Sequence, residues 1–287
     1  MKDSVSPEEF YLNLLKKCLT RYGFAEKYEK YEPRRGSPKR ALYAPARRLL
    51  GLLKFELVRV KSVNPRDCAE GRDWALEAET MIRLRRLDNL QFCITDLLRR
   101  QVPGDFIETG VWRGGASIFM RGVLKVYGDT TRTVWVADSF QGLPPPDPEC
   151  YPADKGDRLW TLVPLAIPLD EVKANFEKYN LLDDQVRFLV GWFRDTLPHI
   201  EAGRFALLRL DGDLYESTID ALKHLYPKLS IGGYVIIDDY GAVSACKAAV
   251  EDFRSEHNIT DKLEPIDWTG VFWQRSCRGD ENFSRHE

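Results

Sequence analysis

The sequence predicts an α/β protein: a mostly parallel sheet with helices on both faces, preceded by a helical N-terminal region. Three observations carry this. From Gly104 onward short β-rich runs ("GDFIETG", "TVWVADSF", "QVRFLVG", "RFALLRLDG", "GGYVIIDDY") alternate with helical ones, the order of parallel strands joined by helical crossovers. Before Gly104 no strand alternation is visible, and apolar residues recur at three- and four-residue spacing. Several of the β runs end in acidic residues, where ligands gather in open α/β sheets.

Composition sets the bounds. The chain has 287 residues, which one α/β domain with an appended helical region accounts for. Hydrophobic residues make up 44% and charged residues 30%, nearly cancelling to a formal charge of −2; a core can be filled and nothing directs the chain to nucleic acid. The start "MKDSVSPEEFYLNLLKK" lacks an apolar h-region, and no stretch approaches the roughly 20 apolar residues of a membrane span. The six cysteines, Cys18, Cys68, Cys93, Cys150, Cys246 and Cys277, form no C-x-x-C pair. Free thiols in a soluble, cytoplasmic protein are the expectation. The histidines His199, His224, His257 and His286 do not cluster and read as surface or core.

In chain order, "PEEFYLNLLKKCLTRY" and "DWALEAETMIRLRRLDNLQFCITDLLRR" read as helices. Between them, Lys30 to Lys61 carries ten basic residues (Lys30, Arg34, Arg35, Lys39, Arg40, Arg47, Arg48, Lys54, Arg59, Lys61) against Glu32 and Glu56. A solvated linker explains this run, as does a contact to an anionic partner or a second subunit. The divisions expected are residues 1–100 as a helical extension, 101–276 as the sheet domain and 277–287 as a polar tail. Residues 142–168, "GLPPPDPECYPADKGDRLWTLVPLAIP", are too proline-rich for one continuous element and long for a connection, the profile of a loop over a ligand site.

In "FIETGVWRGGASIFM" a strand stops at Glu108, Gly110 permits a tight turn, and Gly114 and Gly115 lead into a helix starting near Ala116. This is a nucleotide-loop arrangement. Trp112, however, occupies the place of the second glycine of the dinucleotide fingerprint, where a pyrophosphate needs bare backbone. The pattern disfavours NAD and suits S-adenosylmethionine, whose amino-acid end the loop backbone can hold, with Glu108 acting through water. "TVWVADSF" ends in Asp138, placed to take both ribose hydroxyls. "RFLVGWFRDTLP" turns at Gly191 and presents Trp192 and Phe193 where an adenine would lie; both aromatics also read as ordinary core.

"LLRLDGDLYES" and "GGYVIIDDYG" place Asp211, Asp213, Asp238 and Asp239 at two strand ends. Four converging carboxylates repel unless a cation is present. Oxygen ligands without histidine or cysteine point to Mg²⁺, with Mn²⁺ or Ca²⁺ as substitutes. Asp238 and Asp239 can share one ion only where the chain is turning; Asp211 is the natural third ligand, leaving Asp213 free to accept a proton. A bland alternative makes "DGD" a turn and "DD" a helix cap. With a metal, coordination acidifies a hydroxyl, a nearby carboxylate removes its proton, and the remaining task is alignment with the sulfonium methyl.

The segments "RLDNLQF", "VPGDFIETGVWRGGASIFMRGVL", "VWVADSFQGLPPPD", "NLLDDQVRFLVGWFRDTLP" and "LLRLDGDLYESTIDALKHLYPKLSIGGYVIIDDYG" resemble the macrocin O-methyltransferase family, bacterial enzymes that depend on S-adenosylmethionine and Mg²⁺ and methylate sugar hydroxyls of antibiotics. The resemblance runs from about Phe10 to Trp273. It implies a Rossmann-like class I methyltransferase with a seven-stranded sheet and an N-terminal helical extension. It further implies metal ligation by Asp211, Asp238 and Asp239, Asp213 as general base, and cofactor contacts from Glu108, Thr109, Gly110, Ser117, Asp138, Ser139, Gly191, Trp192 and Phe193. Met81 becomes a candidate substrate contact, although it reads equally as a core methionine; the family also tends to form homo-oligomers. Pro168, where the family usually has a serine cap, and Arg83, where a small residue is expected, depart from its pattern. Two rivals remain: a Mg²⁺-dependent methyltransferase of catechols or other vicinal diols, and a non-catalytic cofactor-binding module.

Overall fold

The protein is described from a computed structural model, which covers residues 5–22, 28–33, 36–60 and 77–276. Cys68, Cys277, His286, Arg34, Arg35, Lys61 and the polar tail expected at 277–287 lie outside the described residues.

Helix α1 (Pro7–Leu19) starts where Ser6 Oγ accepts from the Glu9 N–H at 3.2 Å, a cap the S-x-x-E spacing encodes. A short antiparallel pair, β1 (Tyr28–Lys30) and β2 (Val58–Val60), brackets helix α2 (Lys39–Leu52). No residue of α2 is buried, and Leu42, Leu49 and Leu52 stand exposed beside its basic residues. Helix α3 (Leu84–Arg99) is shorter at its start than the spacing predicts. Residues Glu77–Arg83 are not helical, and residues 73–76 lie outside the described set. The physical reason is tertiary: the Glu79 N–H donates to the Leu19 carbonyl and the Glu79 carbonyl accepts from Gly115 N–H, 3.0 and 2.9 Å, bonds that a helical backbone could not offer.

From there the elements are β3 (Asp105–Thr109), α4 (Gly115–Val126), β4 (Val134–Asp138), α5 (Leu169–Lys178), β5 (Val186–Val190), the single turn α6 (Phe193–Thr196), β6 (Phe205–Leu210), α7 (Tyr215–Leu225), β7 (Leu229–Ile237), α8 (Ser244–Glu256), β8 (Glu264–Pro265) and β9 (Val271–Gln274). Seven strands form one sheet in the order β5-β4-β3-β6-β7-β9-β8. The first five run parallel and β9 is antiparallel to both its neighbours. The strand order reverses between β3 and β6, so a crevice opens beyond their carboxyl ends.

Side-chain alternation assigns each strand to two cores. Phe106, Val134, Val136 and Leu207 face a cluster with Leu12, Leu15 and Leu19 of α1, Leu87, Leu90 and Ile94 of α3, and Phe119 and Val123 of α4. Ile107, Ala137, Leu208 and Ile237 face the other side, with Leu222 of α7 and Phe253 of α8. Helix α1 is thus packed into the same core as the sheet. The described cysteines, Cys18, Cys93, Cys150 and Cys246, are free, and no helix among the described residues is long and apolar enough to cross a membrane.

Candidate functional site

A cleft of about 740 Å³, counting its open mouth, lies at the β3/β6 reversal. Of the residues singled out in the sequence, Met81, Gly110, Asp138, Ser139, Gly191, Trp192, Phe193, Asp211 and Asp213 line it, as does Trp112. Glu108, Thr109, Ser117, Asp238 and Asp239 do not; Glu108, Thr109, Ser117 and Asp238 are closed from solvent behind its wall.

The turn after β3 is shaped by contact. At Gly110, φ is +80°, and a Cβ there would lie 1.8 Å from the Asp211 carbonyl oxygen, so only glycine fits where the two strand ends meet. Trp112 sits in the left-handed region at φ +48°, and its Nε1–H donates to the Pro164 carbonyl at 2.9 Å. The first N–H of α4 is already taken by Glu79, so the place where a nucleotide-loop protein would seat phosphate is filled by the chain itself. Asp138 accepts from the Val111 and Phe140 N–H groups at 2.8 and 2.7 Å, which fixes its carboxylate at the cleft floor; burial pushes its carboxyl up.

Residues 142–168 cross the cleft as three single turns, Pro152–Asp154, Leu159–Thr161 and Val163–Leu165, and supply Leu143, Pro144 and Leu165 to its lining. Two side chains pin the middle of this loop. One is the Trp112 tie; the other is Asp154, fully buried, which accepts from the Tyr215 and Glu216 N–H groups at 2.7 and 3.0 Å. Asp154 thereby caps α7 from a distant segment, a role spacing does not reveal. Pro168 precedes α5 without a side-chain cap. Arg83 does not reach the cleft: its Nη1 donates to the Thr20 carbonyl at 2.7 Å, tying α3 to the end of α1.

The carboxylates at the ends of β6 and β7 converge as the sequence suggests. One oxygen each from Asp211, Asp238 and Asp239 lies within 4.8 Å of the others. The cation that their repulsion calls for is supplied in part by the protein itself, as two buried guanidiniums. Arg209 donates through Nη1 to Glu108 Oε1 at 2.5 Å and to Asp211 Oδ2 at 3.0 Å, and through Nη2 to Asp238 Oδ1 at 2.6 Å. Arg86 donates to Asp238 Oδ2 and, at 2.8 Å, to Asp267. Sequence reading missed both; the signal for Arg209 was a charge inside the otherwise apolar "FALLRL" strand, all of it buried.

Two cations do not satisfy this cluster. Burial raises the carboxyls of Asp211 and Asp239, that of Asp211 further through the charge of Asp238 and that of Asp239 through the charges of Asp211, Asp213 and Asp238. Asp239 Oδ2 is buried without a partner among the described residues. Paired carboxylates of this kind need a shared proton or a cation, and an all-oxygen donor set fits a hard divalent ion. Both Asp238 oxygens accept from arginine, but each keeps a second lone pair for ligation. Asp213, at φ +58°, is pushed up to about 7 by burial and by Asp211, Asp238 and Asp157.

Glu108 lies beneath the loop, its Oε2 accepting from the Ser117 hydroxyl. Burial pushes its carboxyl up to about 7 despite Arg209, whose charge is divided among three carboxylates. An acid raised in the fold is stabilising below its unfolded pKa and loses that contribution as pH rises through the folded value. Wild type held in EDTA should therefore lose stability between about pH 4.5 and about 7 more steeply than Glu108→Gln, by up to ~3 kcal/mol across the window. Urea midpoints at stepped pH check this; parallel slopes would show that Glu108 stays ionised throughout.

Known proteins resemble this chain in sequence and fold. The family Macrocin-O-methyltransferase (TylF) matches residues 8–275. The chain is 58% identical over 208 residues to the 8-demethyl-8-(2,3-dimethoxy-alpha-L-rhamnosyl)-tetracenomycin-C 4'-O-methyltransferase of Streptomyces olivaceus, covering 72% of this chain and 79% of that protein. It is 53% identical over 211 residues to the demethyldecarbamoylnovobiocin O-methyltransferase of Streptomyces niveus, with the same coverage of 72% and 79%. Against the mycinamicin III 3''-O-methyltransferase of Micromonospora griseorubida it is 52% identical over 210 residues, covering 72% and 82%. The solved structure of the O-methyltransferase NovP superposes with a TM-score of 0.80 at 42% identity, covering 94% of this chain and 99% of that one.

Proposed function

The chain belongs to the macrocin-O-methyltransferase family and is an O-methyltransferase; from that premise we propose that it transfers a methyl group from S-adenosylmethionine to a sugar hydroxyl of a glycosylated natural product, with Mg²⁺ in the site. The observation that carries the reading is the meeting of Asp213 with the β3, β4 and β5 turns in one cleft, beside three carboxylates close enough to share an ion.

In this reading the Gly110 loop holds the amino-acid end of the cofactor, with Glu108, Thr109 and Ser117 bracing the loop from beneath. Asp138 and Ser139 hold the ribose, and the Gly191-Trp192-Phe193 turn receives the adenine. Asp211, Asp238 and Asp239 would hold the divalent ion, which when bound supplies the positive charge that acidifies an acceptor hydroxyl. Asp213 takes the hydroxyl proton on a carboxylate oxygen as the O–CH₃ bond forms and the S–CH₃ bond breaks, leaving a neutral thioether and a carboxyl group that returns its proton to water. Residues 142–168 cover the cleft and exclude water, and Met81 bounds the acceptor space.

The charge of the lining supports a neutral glycoside over a sugar still carrying a diphosphate. Asp138, Asp211, Asp213, Glu216 and Asp220 line the cleft against Arg194 alone, and Arg194 is paired with Glu216. By their names, relatives act on a rhamnosyl tetracenomycin and on mycinamicin III. The free thiols fit a cytoplasmic setting, and the exposed apolar and basic face of α2 supports the expected self-association.

The test is methyl transfer to a panel of deoxysugar glycosides and phenols, with and without exhaustive EDTA. Transfer to glycosides that stops in EDTA and returns with Mg²⁺ is expected. Turnover of phenols alone would move the assignment to catechol-type acceptors, and undiminished activity in EDTA would remove the metal.

A further inference from the structure

Beyond Asp213 the cleft continues along one face of α7, where Glu216, Ser217 and Asp220 line it. Glu216 and Asp220 are one helical turn apart and point the same way. Glu216 is engaged, its Oε1 accepting from Arg194 Nη1 at 3.0 Å. Asp220 differs. It is only 9% exposed, yet among the described residues no N–H or O–H donates to its carboxylate; Lys223 and Arg194 act on it only through space. A carboxylate this enclosed and open only toward the cleft can take its donor from there.

An aromatic residue lining the same cleft narrows what that donor is. Phe193, from the turn after β5, packs against the bare backbone of Gly212: a Cβ at Gly212 would lie 3.4 Å from the Phe193 ring and 2.8 Å from Ser217 Cβ. Backed in this way, Phe193 offers part of its ring to the cleft, a face against which another planar ring can stack. The reading above seats the cofactor's adenine at this turn, and this inference rests on that reading. Adenine carries at its six position an amino group, which donates two hydrogen bonds and accepts none in its plane. A 6-oxopurine carries a carbonyl there, which a carboxylate repels.

We propose that Asp220 accepts a hydrogen bond from the exocyclic amino group of adenine and thereby makes the site selective for an adenine cofactor over its 6-oxo counterpart. Arg194, clamped by Glu216, offsets part of the charge of Asp220.

Calorimetric titration of S-adenosylhomocysteine and S-inosylhomocysteine into wild type and Asp220→Asn tests this. Wild type should bind the adenosyl compound at least about tenfold more tightly, since a site built to pair a polar group rejects the analogue that lacks it. In the Asn variant, whose amide can either accept or donate, the preference should fall to within about threefold, partly because the inosyl compound binds more tightly than it does to wild type. That gain is one a damaged fold does not produce. An unchanged preference, or equal loss for both compounds, overturns the assignment of Asp220. Wild type binding neither compound overturns the cofactor reading itself, and the inference with it.

Discussion

Asp213→Asn is expected to lower kcat by about 10²- to 10⁴-fold, the usual worth of a positioned base, while leaving binding of S-adenosylhomocysteine and thermal stability near those of wild type. The substitution is matched to the position. Asp213 lies in the left-handed region at φ +58°, which asparagine tolerates and most residues do not, and the amide copies the shape of the carboxyl without its proton affinity. Steady-state rates on a glycoside acceptor that wild type methylates, with cofactor binding measured separately, give the answer. A variant with near-normal kcat would show that the proton leaves by another route and would move the base away from the β6 turn.

Arg209→Met is expected to destabilise the protein by about 3–5 kcal/mol, because it leaves buried carboxylates without their shared cation. Arg209 is fully buried and bonds Glu108, Asp211 and Asp238 at once. Lysine should not rescue it, since a single ammonium cannot span three partners that a guanidinium fork reaches. A second consequence separates this from ordinary cavity loss: with one positive charge gone, Mg²⁺ should restore more stability to the variant than it adds to wild type. Denaturant melts with EDTA and with Mg²⁺ measure both. Equal Mg²⁺ effects in the two proteins would mean that Arg209 and the ion do not compete for the same carboxylates.

Much of the architecture was legible because it is written locally. Apolar runs in "DFIET", "VWVAD" and "FALLRL" end at residues that also end their strands, and the glycines of "GVWRGG" stand where the backbone turns. The Asp238-Asp239 pair was readable as convergent because two adjacent side chains can face one point only off the end of a strand, and β7 does end at Ile237. Failures occurred where a distant segment decided. The helical pattern through "ETMIRLRRL" gives way at Glu77–Arg83 because the backbone there is spent on Leu19 and Gly115. Arg83, a departure from the family pattern in sequence, is a strut to α1.

Sequence alone determined the strand ends, the glycine turn and the identity of the acids, since each depends on residues a few positions apart and on periodicities that a single element displays. Only the tertiary structure decided how those acids are neutralised and what surrounds them: Arg209 and Arg86 between the carboxylates, Asp154 on the start of α7, Asp220 beside the cleft with no donor among the described residues. Charge pairing and desolvation act through space, across separations such as the 152 residues between Arg86 and Asp238, and a one-dimensional pattern carries no record of which distant side chain will arrive.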